Sequence, residues 1–87
     1  MSNPAALRDE DVTEALVAFV NAEIMAAGRD IGPDDDLERA GVDSLALLQV
    51  LLFVERRYGF WIPDEDLTDE VTRTARSLAR YVAARGA

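Results

Sequence analysis

Leu16, Phe19, Val20 and Ile24 recur at i, i+3, i+4 and i+8, the spacing that puts side chains on one face of an α-helix. Asp11 and Glu14 fit the acidic form of a capping box that opens this helix. Gly28 suits the position past its end, where positive φ is needed. A second helix is predicted from Ser44 to Arg57. Leu47, Val50, Leu51, Val54 and Tyr58 make one continuous apolar stripe there, and Leu45, Leu48 and Leu52 make another. A helix apolar on two sides is either enclosed or keeps one side for a partner. Thr74 is a good N-cap for a last helix, whose Ala75, Leu78, Ala79 and Val82 share a face, with Gly86 just past the end.

The segments between these helices are irregular. "GRDIGPDDDLERAGVD" is punctuated by Gly32-Pro33 and Gly41, with Ile31 and Leu37 as its anchors to a core. A loop this long is uncommon in a small domain and is usually functional or disordered. "GFWIPDEDLTDEV" turns at Pro63, which bars helix through Ile62; Ile62 and Leu67 anchor it. A short helical turn fits Asp69 to Arg73. Strand-like alternation of useful length and internal repeats are absent. The pattern predicts an all-α fold, an antiparallel four-helix bundle of three main helices and one short one with a long first loop. Residues 1–8 read as a flexible leader and 9–87 as one domain.

Composition narrows what such a bundle does. With 87 residues, 49% of them hydrophobic, the chain has material for one small core and is no disordered acidic tail. No cysteine is available for disulfides or thiolate metal sites. Seventeen acids against nine bases, all of them arginine, give a net charge of −8. Such a surface repels nucleic acid and anionic lipid and favours partners with basic patches. No apolar stretch approaches the ~20 residues of a membrane span, and the N-terminus lacks the regions of a signal peptide. A soluble, cytoplasmic, monomeric protein is expected. Because histidine is absent too, Ser-His-Asp and Cys-His catalysis and histidine-based zinc sites are excluded within this chain. Ser44 therefore has no internal base.

Ser44 stands where the long loop becomes the second helix. The first N–H groups of a helix lack internal partners and its dipole is positive there, so the position suits a phosphate ester. Gly41 allows a tight approach. Asp43 sets an anion beside the hydroxyl, able to help hold a divalent metal that arrives with a phosphorylated substrate.

The stretch "DDDLERAGVDSLALLQVLLFVERRYGFWIPDEDL" resembles the acyl carrier protein family around the attachment site of 4′-phosphopantetheine. Asp36-Leu37, Gly41, the Asp43-Ser44-Leu45 triplet, the amphipathic helix ending at Tyr58-Gly59, and Ile62-Pro63 carry the likeness, which covers residues 34–67. The resemblance implies an acyl-carrier-like bundle with Ser44 as the acceptor, loaded from coenzyme A by a separate phosphopantetheinyl transferase. Gly41, Asp43 and Leu45 are then the surroundings of the arm. The chain would carry acyl groups as thioesters on the arm's thiol and present them to loading and processing enzymes, without catalysing a reaction itself. In the family the face carrying Leu45, Leu48 and Leu52 docks those enzymes through apolar or basic patches. Ala46 and Gln49 stand where many fatty-acid carriers have acids, although Glu55 remains. That departure points away from primary fatty-acid synthesis and toward polyketide or other specialised acyl chains. An aminoacyl or peptidyl carrier of a nonribosomal-peptide-type pathway is the alternative. From another class, the alternative is an unmodified helical interaction module, with Ser44 a mere cap and the leucine stripe a docking groove.

Two further features are weighed on the sequence. Trp61, the single tryptophan, is either packed at the core edge or an exposed aromatic anchor for a partner. From Asp30 to Asp43 six acids face one arginine, but a calcium loop wants glycine sixth and glutamate twelfth. Counted from Asp34, those places hold Arg39 and Leu45. No metal site is expected. This run, and the second acid cluster Asp64-Glu65-Asp66 with Asp69-Glu70, read as solvated faces that draw basic partners.

Overall fold

The computed structural model describes residues 7–86. Helix α1 spans Asp9–Glu23, α2 Leu37–Ala40, α3 Ser44–Tyr58, α4 Asp69–Thr72 and α5 Ala75–Gly86, with a 3₁₀ turn at Asp64–Asp66. Among the described residues there is no strand. The all-helical bundle expected from the apolar pattern is present, with one helix more than expected. The extra element, α2, lies inside the segment expected to be loop. Asp36 caps it by accepting from Arg39 N–H, and Gly41, at φ 104°, ends it. Gly41 N–H donates to Glu38 O and Val42 N–H to Leu37 O, the paired bonds of a Schellman turn.

The α1 boundaries also differ from expectation. The helix begins at Asp9, two residues before the expected capping box, and Arg8 at the cap position makes no side-chain cap bond. Three acids, Asp9, Glu10 and Asp11, fill the first turn instead, where their charge meets the positive end of the dipole. The helix stops at Glu23 rather than near Gly28; Gly28 has the positive φ, 82°, but in a separate turn closed by Arg29 N–H to Ala26 O. Leu7, within the expected leader, packs on the core and leaves no room for a Cβ at Gly86. Gly86 itself is the last residue of α5 rather than the first beyond it. The rest of the expected leader, residues 1–6, lies outside the described residues.

Buried apolar residues from every long helix form one core. Val12, Leu16 and Val20 come from α1, Val50, Leu51 and Val54 from α3, and Leu78, Ala79 and Val82 from α5. The connecting segments contribute Ile31, Leu37 at the start of α2, and Ile62 as expected, and Val42 in addition. Helix α1 packs most extensively against α5 and also against α3, where Phe19 and Phe53 stack with ring centroids 4.5 Å apart. The α3 core line differs in one register: Ala46 is buried, while Leu47 and Tyr58 are only half-buried. Residues 46, 50 and 54 lie four apart and share one side, which turns Leu47 about 100° away from that line. Thr74 caps α5 as expected, and reciprocally: Ser77 N–H donates to Thr74 Oγ1 and Thr74 N–H to Ser77 Oγ, both at 3.0 Å.

The long segment between α1 and α3 is pinned at both ends. Asn21 accepts from Ile31 N–H at 2.8 Å and donates to Ile31 O at 3.0 Å, fixing the first anchor against α1. Leu37 N–H donates to Arg73 O at 2.8 Å and Arg76 N–H to Pro33 O at 3.0 Å. Arg76 adds a two-pronged ion pair to Asp34, at 2.7 and 3.1 Å. The segment that delivers Ser44 is thus held to the junction of α4 and α5.

Candidate functional site

Each local feature of the segment before α3 aims the start of that helix. The Schellman turn at Gly41 reverses the chain and sends Val42 into the core. Asp43 then has extended backbone, and its Oδ1 accepts from Ala46 N–H at 2.9 Å. The cap is Asp43, and Ser44 is the first residue inside the helix. Freed from capping, the Ser44 side chain is exposed and makes no hydrogen bond among the described residues. Gly41 ends α2 and also lines the cleft beside Ser44, and one oxygen of Asp43 accepts from the backbone.

Beside Ser44 lies an open cleft of about 590 Å³ between α2, the first turns of α3, and α4. Leu37, Val42, Leu47 and Leu67 supply its apolar surface, and Asp36, Glu38, Asp43 and Asp69 ring it with carboxylates. Among the described residues Arg73 is the one base lining it. Leu47, Leu67, Asp69 and Arg73 were not among the expected site residues. Leu47 lies one helical turn after Ser44 on α3, whereas nothing in local spacing marks Leu67, Asp69 and Arg73, which reach the cleft only through the fold.

The expected partner-facing residues separate into two groups. Leu45, Leu48 and Leu52 are 66%, 42% and 41% exposed, and Gln49 and Glu55 are exposed beside them. Among the described residues nothing covers this stripe of α3. Trp61 is 40% exposed at the turn after α3, so it belongs to the surface rather than the packed interior. Ala46, read as a position on the docking face, is in the core.

The acid run is not simply a solvated face. Asp34 pairs with Arg76, Asp35 accepts from Gly32 N–H at 2.7 Å, and Asp36 caps α2. The hydrogen bond from Arg76 holds the Asp34 carboxyl below its ordinary value of 3.8. In the second cluster Asp66 accepts from Tyr81 OH and pairs with Arg85 at 3.5 Å. Burial, and then that bond to Asp66, push the Tyr81 phenol above its ordinary value of 10.0. No group of three or more acids, histidines or cysteines is disposed to hold a metal among the described residues.

The fold is thus a helical bundle with an exposed serine at the start of α3, beside a cleft and a row of exposed leucines. The family described as "Phosphopantetheine attachment site" matches residues 14–82, and the chain belongs to that family. The domain is one to which 4′-phosphopantetheine is attached covalently. The mitochondrial acyl carrier protein of Dictyostelium discoideum is 26% identical over 77 residues, which is 88% of this chain and 63% of that one. The chain thus spans somewhat less than two thirds of that relative. In fold it is similar to a chain in the crystal structure of a Bradyrhizobium japonicum glycine:[carrier protein] ligase complexed with glycylated carrier protein. The TM-score is 0.63 and the identity 24%, over 83% of this chain and 95% of that one. The residues present fit the cofactor: an accessible hydroxyl with no competing bond, at a helix N-terminus, with open space beside it.

Proposed function

We propose that Ser44 carries the arm and that the protein presents acyl groups on it, as thioesters, to partner enzymes. The observation that carries this reading is the division of labour at the start of α3. Asp43 takes the capping role, so the Ser44 hydroxyl is left exposed and unbonded. In the loading reaction Ser44 Oγ attacks the coenzyme A phosphorus that bears the pantetheine. A phosphodiester forms, the adenosine bisphosphate half departs, and the serine proton passes to a base of the transferase. That external base removes any need for histidine in this chain. Once attached, the arm supplies the thiol that holds the acyl group.

Leu45, Leu48, Leu52, Gln49 and Glu55 are the proposed docking face for the transferase and the acyl-processing enzymes, with Trp61 a further exposed contact. The apolar character of this face favours specialised acyl chains, of polyketide type, over primary fatty-acid synthesis. The second reading is an aminoacyl carrier, since the chain of similar fold is described as a glycylated carrier protein. The proposed compartment is the cytoplasm; no helix among the described residues is long and apolar enough to cross a membrane, and the relative above is mitochondrial.

Intact mass spectrometry tests the attachment. Incubation with coenzyme A, Mg²⁺ and a broad-specificity transferase should add one phosphopantetheinyl unit, absent in Ser44→Ala. An unchanged mass with several transferases would overturn it. Parallel loading with acyl and aminoacyl donors divides the two readings.

A further inference from the structure

We propose that Arg73 is the cation that seats the phosphodiester of the arm, a positioning role that rests on Ser44 being the attachment residue. Attachment adds a negative charge to a chain already at −8, in a cleft whose other charged residues are Asp36, Glu38, Asp43 and Asp69. Unopposed, those carboxylates would push the new anion outward. The α3 N-terminus offsets this only in part, because Asp43 already occupies Ala46 N–H. Arg73 is the one base in the cleft lining, and its planar array of N–H donors matches phosphate oxygens.

Arg73 is available for this task and held in place for it. Its side chain makes no ion pair or hydrogen bond among the described residues, although Asp69 lies four residues earlier on the same helical turn. The carboxylates of Asp36 and Asp43 are each engaged with a backbone N–H. The Arg73 backbone is fixed: its carbonyl accepts from Leu37 N–H, at the base of the segment that delivers Ser44. Two further bonds three residues on, Arg76 to Pro33 O and to Asp34, brace the same junction. Arg73 thus lines the same cleft as Ser44 from a backbone position fixed to the segment that delivers the serine.

The consequence is directional. A phosphodiester drawn toward Arg73 would lie within the cleft that Leu47 and Leu67 line, rather than over the exposed Leu45.

The test compares apo and arm-bearing forms of isotopically labelled protein, wild type and Arg73→Ala, after intact mass has established the load. In wild type, attachment should shift the Arg73 side-chain N–H and the amides of Leu67 and Thr72 as well as those of Ser44 to Ala46. The phosphorus resonance of the diester should move in Arg73→Ala and return toward the wild-type position in Arg73→Lys. Salt at about 0.5 M, where the Debye length falls to roughly 4 Å, should move wild type toward the alanine variant. Shifts confined to residues 43–46, with a phosphorus resonance indifferent to Arg73→Ala, would overturn the assignment. So would an Arg73 side chain that pairs with Asp69 identically in both forms. If Arg73→Ala disturbs the apo spectrum, Arg73→Gln keeps the aliphatic stem and removes only the charge, and the same phosphorus comparison decides. A protein that gains no mass refutes the Ser44 reading itself, before any spectrum of the loaded form is taken.

Discussion

Asp43 and Ser44 are neighbours with opposite demands on their side chains. A cap must face back along the helix and accept from the backbone, whereas an acceptor of a bulky ester must face solvent. The chain assigns the first task to Asp43, whose Oδ1 meets Ala46 N–H at 2.9 Å, and leaves Ser44 with no side-chain bond among the described residues. Asp43→Ala should therefore cost about 1 kcal/mol of stability, as loss of an N-cap does, and Asp43→Asn should recover most of it. Ser44→Ala should leave the urea midpoint nearly unchanged, because it removes no bond. Denaturation curves of the three variants check this. Equal destabilisation by Ser44→Ala would show that the hydroxyl is structural.

At the scale of an element, α3 is apolar on two sides for two reasons. Ala46, Val50, Leu51 and Val54 are buried against the core, so their identity is set by packing. Leu45, Leu48 and Leu52 are exposed among the described residues, and exposed apolar rows of that kind mark interaction surfaces. Leu48→Glu and Leu52→Glu should thus change stability by no more than about 0.5 kcal/mol and keep the helical far-UV CD spectrum, while slowing turnover by docking enzymes. Leu78→Ala in the core of α5 should cost about 2–5 kcal/mol. Loss of helicity in the glutamate variants would place those leucines in the core instead.

Across the whole molecule, the segment from Ile31 to Val42 is long yet ordered, because distant residues hold it. Asn21 grips Ile31, Arg73 and Arg76 grip Leu37 and Pro33, and Arg76 pairs with Asp34. The Asp34–Arg76 pair is open to solvent, so its effect is small and screened. Its sign is nonetheless defined. The carboxyl is depressed in the fold, so the charged form stabilises above the ordinary value of 3.8, and that contribution fades as pH falls through the lowered value. Asp34→Asn should therefore be less stable than wild type at neutral pH. The gap should close on acidification through and below the ordinary carboxylate range, read from urea midpoints across pH. A gap that persists at the acid end would locate the effect in packing rather than charge.

The sequence pattern was enough for the three long helices, for Ile31, Leu37 and Ile62 as anchors, and for Thr74 as the cap of α5. Each rests on contacts within one helical turn or on burial of a large apolar side chain, and both leave a local trace. The exposed stripe of Leu45, Leu48 and Leu52 was equally legible as a surplus of apolar residues over what one core face needs. The start of α1 and the existence of α2 were not. Competing caps a few residues apart differ by fractions of a kcal/mol, and Asp36 and Gly41 signal a helix only once the turn between them is anchored. The cleft beside Ser44, with Leu67, Asp69 and Arg73 on its far wall, was decided by tertiary structure alone. Those residues approach the serine through the docking of α4, and no spacing along the chain records a proximity that only packing creates.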